Sequence, residues 1–351
     1  MRYHLLGRSG LRVSDLCLGT MTFGDDWGWG AAREESMRQF DLFAAAGGNF
    51  IDTANGYTNG SSERLIGEFV AGDRDRWVIA TKYTASMRPG DPNAGGNQRK
   101  SLLQNLHGSL ERLGTDHVDL LWVHAWDFRT PIDEMMRALD DVVRQGKVLH
   151  VGISDAPAWV VSRANTMAEL RGWSPFIGLQ VEYSLVERTP ERDLLPMARG
   201  LDLGVTAWSP LGGGVLSGKY NAPAAAGDAR RLDNAMMATL TAPSERNLRI
   251  AAAVGRVAGE IGASAPAVAL AWLRSRPQVI PIIGARTSAQ LEANLASASL
   301  VLDAAHVAAL DAVSAIELGF PHDFLKKELP LATFHGGTWD QVDDHRAGRA
   351  V

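Results

Sequence analysis

The chain has 351 residues, of which 46% are hydrophobic and 21% are charged, and its formal net charge is −5. This composition is typical of a globular protein with a large core, and because it contains no run rich in lysine and arginine, it does not favour nucleic acid as a partner. Cys17 is the only cysteine, which excludes intramolecular disulfides and metal sites built from cysteines.

The sequence carries no recognisable export or membrane signal. Its N-terminus lacks the apolar run of about 7–15 residues that marks a signal peptide, and no segment approaches the ~18 apolar residues of a membrane-spanning helix. We therefore expect a cytoplasmic protein that has no membrane partner.

Short apolar runs alternate along the chain with longer segments of helical periodicity, several of which end on Gly. This order predicts parallel strands joined by helices, and eight strands favour an α/β fold of the closed (β/α)8 type, the TIM barrel, over an open sheet. The predicted strands span residues 14–20, 49–52, 77–82, 117–124, 147–154, 176–181, 204–209 and 279–283.

The segments outside this repeat predict small additions to one domain that covers residues 1–351. About the first 12 residues, which contain Gly7 and Gly10, predict a β-hairpin below the barrel. An extra helix is predicted at 303–316, and the polar tail at 330–351 is expected to be flexible.

Two connections are longer than usual, and both follow predicted strands. They span residues 83–96 and 210–242, and connections of this length are often functional loops.

The first strand is followed by GDDWGWG rather than by the GxGxxG pattern that opens a helix in a Rossmann fold. A Rossmann dinucleotide site is therefore disfavoured.

Ionisable residues end three of the predicted strands: Asp52, Lys82 and His124. Active sites of such barrels are built at this end of the strands. A buried charge needs a partner, so we expect Asp52 and Lys82 to pair. Tyr57 follows in the turn DTANGYTNG and would lie at the same opening. Each residue has a structural explanation by itself, but four on three adjacent strands and one loop favour a catalytic group.

The four side chains suggest a device that gives a proton to a carbonyl oxygen. A free tyrosine has a pKa of about 10, too high for an efficient acid at neutral pH. We expect the Lys82 ammonium to lower the pKa of Tyr57 and Asp52 to hold that ammonium in place. His124 could donate a hydrogen bond to the substrate oxygen or relay a proton.

The segments around these residues resemble those of the aldo-keto reductases, from about residue 3 to about residue 315. DTANGYTNGSSERLIGE, WVIATK and VDLLWVH match the segments that carry the catalytic aspartate, tyrosine, lysine and histidine of the family. The resemblance implies that Tyr57 is the general acid, assisted by Asp52, Lys82 and His124. It is greatest to the branch of bacterial reductases related to potassium-channel beta subunits, which replace the histidine that this chain keeps.

The resemblance also implies a cofactor, NADP(H), whose nicotinamide end lies near the catalytic residues. Trp208 would stack on the nicotinamide ring, and Asp155 replaces the asparagine that usually holds the carboxamide, which leaves the role of residue 155 open. The residues implied at this end are Gly19, Thr20, Met21, Asp52, Ser154, Gln180 and Trp208.

The phosphates of the cofactor would lie along the loops after strands seven and eight. A Gly triplet at 212–214 would bring backbone N–H groups to the pyrophosphate. The helix that starts near residue 288 would attract the 2′-phosphate with its N-terminus, assisted by Arg286, which favours NADPH over NADH. The residues implied here are Ser209, Pro210, Leu211, Gly213, Lys219, Arg231, Gly284, Arg286, Gln290 and Asn294.

The remaining aromatic residues in loops after strands predict an apolar substrate pocket. They are Trp27, Trp29, Tyr83 and Trp126. Since no cationic side chain is left over for an acidic substrate, we expect small aldehydes, neutral ketones or the corresponding alcohols.

Two other functions remain open. One is a regulatory or redox-sensing protein that binds NADPH and turns over slowly, as the resemblance to channel subunits suggests. The other is a barrel hydrolase, for which Glu182 and Asp52 would be the carboxylate pair, although that reading leaves Tyr57 unused. A metal hydrolase would need clustered ligands, whereas the nine histidines are scattered, and we expect no metal site.

Overall fold

The structure is a computed structural model that describes residues 1–221 and 244–343. Its strands agree in position with the predicted ones. They are β1 Tyr3–Leu5, β2 Arg12–Ser14, β3 Cys17–Gly19, β4 Phe50–Asp52, β5 Val78–Tyr83, β6 Val118–Val123, β7 Val148–Ser154, β8 Phe176–Glu182, β9 Gly204–Trp208 and β10 Val279–Ile283.

The last eight strands form a closed parallel barrel in the order β10-β3-β4-β5-β6-β7-β8-β9. Strands β1 and β2 pair antiparallel as a separate hairpin. The predicted (β/α)8 barrel with an N-terminal hairpin is therefore confirmed. Because all eight strands run parallel, their C-terminal ends form one rim, and the loops that follow them share one face.

Helices lie between the barrel strands and after the last one. They are α1 Arg33–Ala45, α2 Ser61–Val70, α3 Arg99–Leu113, α4 Ile132–Arg144, α5 Ala158–Arg171, α6 Leu194–Gly200, α7 Glu245–Ile261, α8 Ala265–Arg274, α9 Ser288–Leu295, α10 Ala304–Ser314, α11 His322–Leu325 and α12 Glu328–Phe334. Helix α10 is the extra helix predicted at 303–316, and α12 contains the first residues of the predicted tail. None of these helices has the length and apolar character needed to cross a bilayer.

Trp122 fills the inside of the barrel. Its ring lies against two glycines on the next strands, Gly152 and Gly178. A Cβ atom at Gly152 would come within 2.3 Å of the indole, and one at Gly178 within 2.8 Å. Since real Cβ contacts are longer, the ring occupies the space that side chains at these positions would need.

The hairpin closes the N-terminal end of the barrel. Leu6, in its turn, is fully buried in the cluster that contains Trp122. Gly7 follows with φ of +54°, and a Cβ there would lie 2.3 Å from the carbonyl oxygen of Ile177 at the start of β8. Only glycine fits this close approach with a left-handed backbone. With this end closed, the opening lies at the opposite rim.

Candidate active site

The predicted catalytic residues lie together on that rim. Asp52 ends β4, Lys82 lies one residue before the end of β5, and His124 directly follows β6. Tyr57 starts a short 3-10 turn, Tyr57–Gly60, after β4. Strands β4, β5 and β6 are neighbours in the barrel, so the fold brings all four side chains to one place.

Local hydrogen bonds fix the turn that carries Tyr57. Thr58 is fully buried, and its hydroxyl donates to the carbonyl oxygen of Phe23 at 2.6 Å. The side-chain amide of Asn55 donates to the carbonyl oxygen of Ala85 at 2.9 Å and to Oδ1 of Asn105 at 2.8 Å. The turn is therefore attached to the loops after β3 and β5, which orients the phenol.

Lys82 is fully buried and uses all three ammonium protons. Nζ donates to Oδ2 of Asp52, to the carbonyl oxygen of Thr53 at 2.9 Å and to the hydroxyl oxygen of Tyr57 at 2.9 Å. Burial by itself lowers the pKa of Lys82, but the nearby charge of Asp52 and the oxygen of Tyr57 outweigh it and raise the pKa above its ordinary value. Lys82 is therefore a charged donor at neutral pH.

The hydroxyl of Tyr57 accepts a hydrogen bond from Lys82, which leaves its own proton to point elsewhere. An ammonium group can only donate, so the shared hydrogen comes from Lys82. The Tyr57 side chain lines a cavity at the barrel opening. The expected fall in its pKa is wrong in sign: burial raises the pKa of the phenol above its ordinary value, and Lys82 only partly opposes this. Tyr57 is consequently protonated at neutral pH.

His124 lines the same cavity and lies edge-on to the ring of Tyr57, with ring centroids 5.9 Å apart. Its backbone N–H donates to the carbonyl oxygen of Tyr83 at 3.2 Å. Burial, followed by the charge of Lys82, lowers the pKa of His124 to about 3. The imidazole is therefore neutral at neutral pH and has one N–H available as a donor.

The cavity has a volume of about 490 Å³ and runs from Tyr57 and His124 to helix α9. Most of the residues predicted for the cofactor line it. They are Gly19, Met21, Asp52, Ser154, Gln180, Trp208, Ser209, Pro210, Leu211, Gly213, Lys219, Gly284, Arg286, Gln290 and Asn294. Thr20 does not line it: its side chain is fully buried and its hydroxyl donates to the carbonyl oxygen of Asp52 at 3.0 Å. Arg231 lies outside the described residues.

Two hydrogen bonds order the polar groups below Trp208. Nε2 of Gln180 donates to Oδ1 of Asp52 at 2.9 Å, so both carboxylate oxygens of Asp52 have partners. Nε1 of Trp208 donates to Oδ1 of Asp155 at 3.0 Å. Burial raises the pKa of Asp155 above its ordinary value, with the hydrogen bond from Trp208 opposing it.

The glycine triplet adopts the left-handed backbone that its sequence favours, with φ of +54°, +63° and +92° at Gly212, Gly213 and Gly214. Its N–H groups already have partners, however. Gly213 donates to Oγ of Ser209 at 3.2 Å, and Gly214 donates to the carbonyl oxygen of Leu211 at 3.0 Å. Gly213 and Gly214 also line the cavity, and contact of the triplet with a pyrophosphate stays a prediction.

The N-terminus of helix α9 is also already capped. Thr287 accepts the N–H of Gln290 at 3.3 Å, and the carboxylate of Glu35, from α1, accepts both the N–H and, at 2.8 Å, the hydroxyl of Ser288. The hydrogen bond from Ser288 and another from Arg38 lower the pKa of Glu35 to about 2, so it is ionised. A phosphate near this helix would be repelled by Glu35. Arg286 is the predicted cationic contact beside this helix, and Lys219 is the other predicted cationic residue that lines the cavity.

Of the four predicted substrate-pocket residues, only Trp29 lines the cavity. Tyr83 and Trp126 do not line the cavity: Tyr83 is fully buried among the outer helices, and Trp126 packs near Phe128. Side chains alternate along a strand, so the residue after Lys82 points away from the barrel interior. Trp29 does line the cavity, and Trp27 packs beside it with ring centroids 5.8 Å apart.

Sequence reasoning missed the apolar contribution of helix α8. Pro266 and Leu270 line the cavity from the first two turns of this helix, opposite Ile282 of β10. No sequence signal distinguishes them from ordinary core residues, because both are apolar positions on a helix. Over residues 1–221 and 244–343, the structure contains no cluster of histidine, cysteine or carboxylate side chains suited to a metal ion.

Comparisons with known proteins agree with this architecture. The chain is 39% identical to norsolorinic acid reductase of Emericella nidulans over 90% of this chain and 82% of the relative. It is 39% identical to an aryl-alcohol dehydrogenase of Pestalotiopsis microspora over 92% of this chain and 85% of the relative. A putative aryl-alcohol dehydrogenase of Saccharomyces cerevisiae is 36% identical over 90% of this chain and 87% of the relative.

These three relatives are fungal, so the expected place in a branch with bacterial reductases and potassium-channel subunits stays a prediction. The sequence model of the Aldo/keto reductase family matches residues 15–315, most of the barrel. The length of this match and the identity to relatives over nearly their whole length place the chain in a family of oxidoreductases. The protein is a member of the aldo/keto reductase family.

Proposed function

We propose that this protein reduces aldehydes and ketones to alcohols, reversibly, with Tyr57 as the proton donor. One observation carries the proposal: Lys82 donates to the Tyr57 oxygen at 2.9 Å, so the phenol proton points away from Lys82. Because burial keeps the phenol protonated, the group is ready to give a proton at neutral pH. The names of the relatives, a reductase and aryl-alcohol dehydrogenases, support carbonyl and alcohol chemistry.

The roles of the other three residues follow from their contacts. Lys82 stabilises the phenolate that Tyr57 becomes after it has donated its proton, since a cation at hydrogen-bond distance favours the charged form. Asp52 keeps Lys82 charged and in position. His124, which is neutral, donates its N–H to the substrate oxygen and orients the carbonyl beside the phenol.

We propose NADPH as the cofactor, held along the cavity that the described residues form. When bound, it supplies the hydride that adds to the carbonyl carbon. The cavity offers an aromatic face at Trp208 near Tyr57 and cationic groups at Lys219 and Arg286, which suits a flat ring at one end and phosphates along the rest. The guanidinium of Arg286 favours NADPH over NADH through the additional phosphate.

For the substrate, we propose aromatic or other apolar carbonyl compounds without a negative charge. Trp29 and Met21 line the cavity beside Tyr57 and His124. These side chains provide apolar and aromatic surface that would pack against an aryl ring. The aryl-alcohol dehydrogenases among the relatives support the same choice.

Replacement of the proposed acid tests the function. Tyr57→Phe should reduce kcat for an aromatic aldehyde by at least ~10², the scale of general acid catalysis, with NADPH affinity nearly unchanged. NADPH absorbance measures turnover, and fluorescence titration measures binding. The matched control is Tyr83→Phe, which removes a hydroxyl from a buried tyrosine outside the cavity and should leave turnover near that of the unmodified protein.

Two results would count against this function. Near-normal turnover in Tyr57→Phe would remove that residue from the mechanism. Tight NADPH binding without turnover over a panel of aldehydes, ketones and aryl alcohols would favour the alternative, a regulatory or redox-sensing NADPH-binding protein.

A further inference from the structure

Asp155 brings a second carboxylate into the cavity, next to the catalytic group. It directly follows β7, lines the cavity and accepts a hydrogen bond from Nε1 of Trp208 at 3.0 Å. The residue has φ of +44°, a left-handed conformation that asparagine and aspartate adopt more readily than other non-glycine residues. The backbone and the indole together hold the carboxylate in place.

The charge of Asp155 is not compensated in the way that the charge of Asp52 is. Asp52 pairs with Lys82 and accepts from Gln180, so the first pair adds no net charge to the cavity. For Asp155, the described part of the chain contains no lysine or arginine within ion-pair distance. Its hydrogen-bond donors are neutral, the N–H of Trp208 and the side chain of Ser154, and the Lys82 ammonium, whose charge also acts on it, is already paired with Asp52. An ionised Asp155 therefore leaves a net negative charge at this end of the cavity.

We propose that the negative charge of Asp155 makes the protein discriminate between the two oxidation states of the cofactor. It favours binding of NADP⁺ over binding of NADPH. The nicotinamide ring is cationic in NADP⁺ and neutral in NADPH, and a carboxylate nearby attracts only the former. The asparagine that Asp155 replaces in the family pattern is an amide and would carry no net charge. This inference rests on the proposed function, in which Trp208 packs on the nicotinamide ring.

The charge of Asp155 would also affect the direction of the reaction. A group that binds NADP⁺ more tightly than NADPH shifts the equilibrium on the enzyme towards the oxidised cofactor and the alcohol product. In the reverse direction, the same charge helps the protein take up NADP⁺ for alcohol oxidation. Asp155 is thus a specificity-determining residue for the cofactor redox state, separate from the proton donor.

The test is the ratio of two dissociation constants, measured by calorimetry at pH 8 without substrate. In Asp155→Asn the ratio Kd(NADP⁺)/Kd(NADPH) should rise about tenfold, the order expected when one charge is removed near a cationic ring. Asparagine has nearly the same shape, tolerates the left-handed backbone and can still accept from Trp208. Asp25→Asn removes the same charge from an exposed loop position outside the cavity and should leave the ratio unchanged.

Trp208→Phe separates the charge from the position of the ring. This variant keeps the Asp155 side chain but loses the indole donor that opposes the rise in its pKa, so it is measured at pH 9 as well as at pH 8 to keep the carboxylate ionised. Both affinities should fall while their ratio at pH 9 stays within about twofold. If the ratio shifts as much in Trp208→Phe as in Asp155→Asn, ring position and not charge is responsible, and the proposal is overturned.

Two other outcomes distinguish a failure of the role of Asp155 from a failure of the proposed function. An unchanged ratio in Asp155→Asn, with both cofactors bound, overturns the role of Asp155 and leaves the proposed function intact. If the unmodified protein binds neither cofactor, the proposed function fails instead. Asp155→Ser, which is small and uncharged, provides the same comparison should the asparagine variant fail to fold.

Discussion

Replacement of Lys82 by methionine should destabilise the protein strongly, because it leaves the buried charge of Asp52 without a partner. A second substitution, at Asp52, can test this reason. Lys82 is fully buried and Asp52 is 3% exposed, so solvent cannot take over the charge of Asp52 when its partner is removed. Breaking a buried ion pair from one side costs about 3–5 kcal/mol. We expect Lys82→Met to lower the free energy of unfolding by about this amount, measured by urea denaturation.

The double variant Lys82→Met with Asp52→Asn should recover most of the lost stability, because it leaves no unpaired buried charge. It should not recover activity, since Tyr57 still lacks its donor. As a control, Arg249→Met breaks an exposed pair with Glu245 at 3.9 Å and should cost ~0–1 kcal/mol. A loss below about 1 kcal/mol in Lys82→Met, or a double variant no more stable than the single one, would refute this account of the pair.

Three further predictions concern the cofactor and pH. Arg286→Ala should weaken NADPH binding about tenfold or more and change NADH binding little, as measured by fluorescence titration; an equal loss for both would contradict the phosphate contact. Glu35→Gln should tighten NADPH binding several-fold in the same titration, because it removes the negative charge that caps Ser288. The raised pKa of Tyr57 keeps the phenol protonated, so kcat for reduction should stay flat from about pH 6 to pH 9, while alcohol oxidation, which needs the phenolate, should rise with pH over that range. A fall in reduction rate near pH 7 would contradict this.

The fold and the four residues at the rim could be predicted from local patterns. Alternation of short apolar runs with helical segments fixes parallel strands, and an ionisable residue at the end of an apolar run points to the opening. Asp52, Lys82 and His124 fit this pattern, and Tyr57 lies in the turn that follows Asp52. Such signals depend only on neighbouring residues in the chain, so they can be recognised without knowledge of the three-dimensional structure.

Other properties of the site depend on the direction in which a side chain points or on its surroundings in the folded protein, and local sequence patterns do not predict them. Whether Tyr83 points into the cavity depends on the alternation of the strand that carries it, and the strand continues one residue beyond the predicted end. The sign of the pKa shift at Tyr57 depends on the balance between burial and Lys82, and burial is a property of the folded molecule. Glu35 reaches Ser288 from a helix 253 positions earlier in the chain, and no local pattern indicates such a contact.

The tryptophan inside the barrel has a consequence for how this sequence can vary. Trp122 occupies the volume that side chains at Gly152 and Gly178 would need. A mutation at either glycine should therefore be tolerated only after residue 122 has become smaller. Shrinking residue 122 first would leave an empty space that a new side chain could fill. Mutations at the three positions are therefore coupled. Their order decides whether the variant that carries only the first mutation can fold.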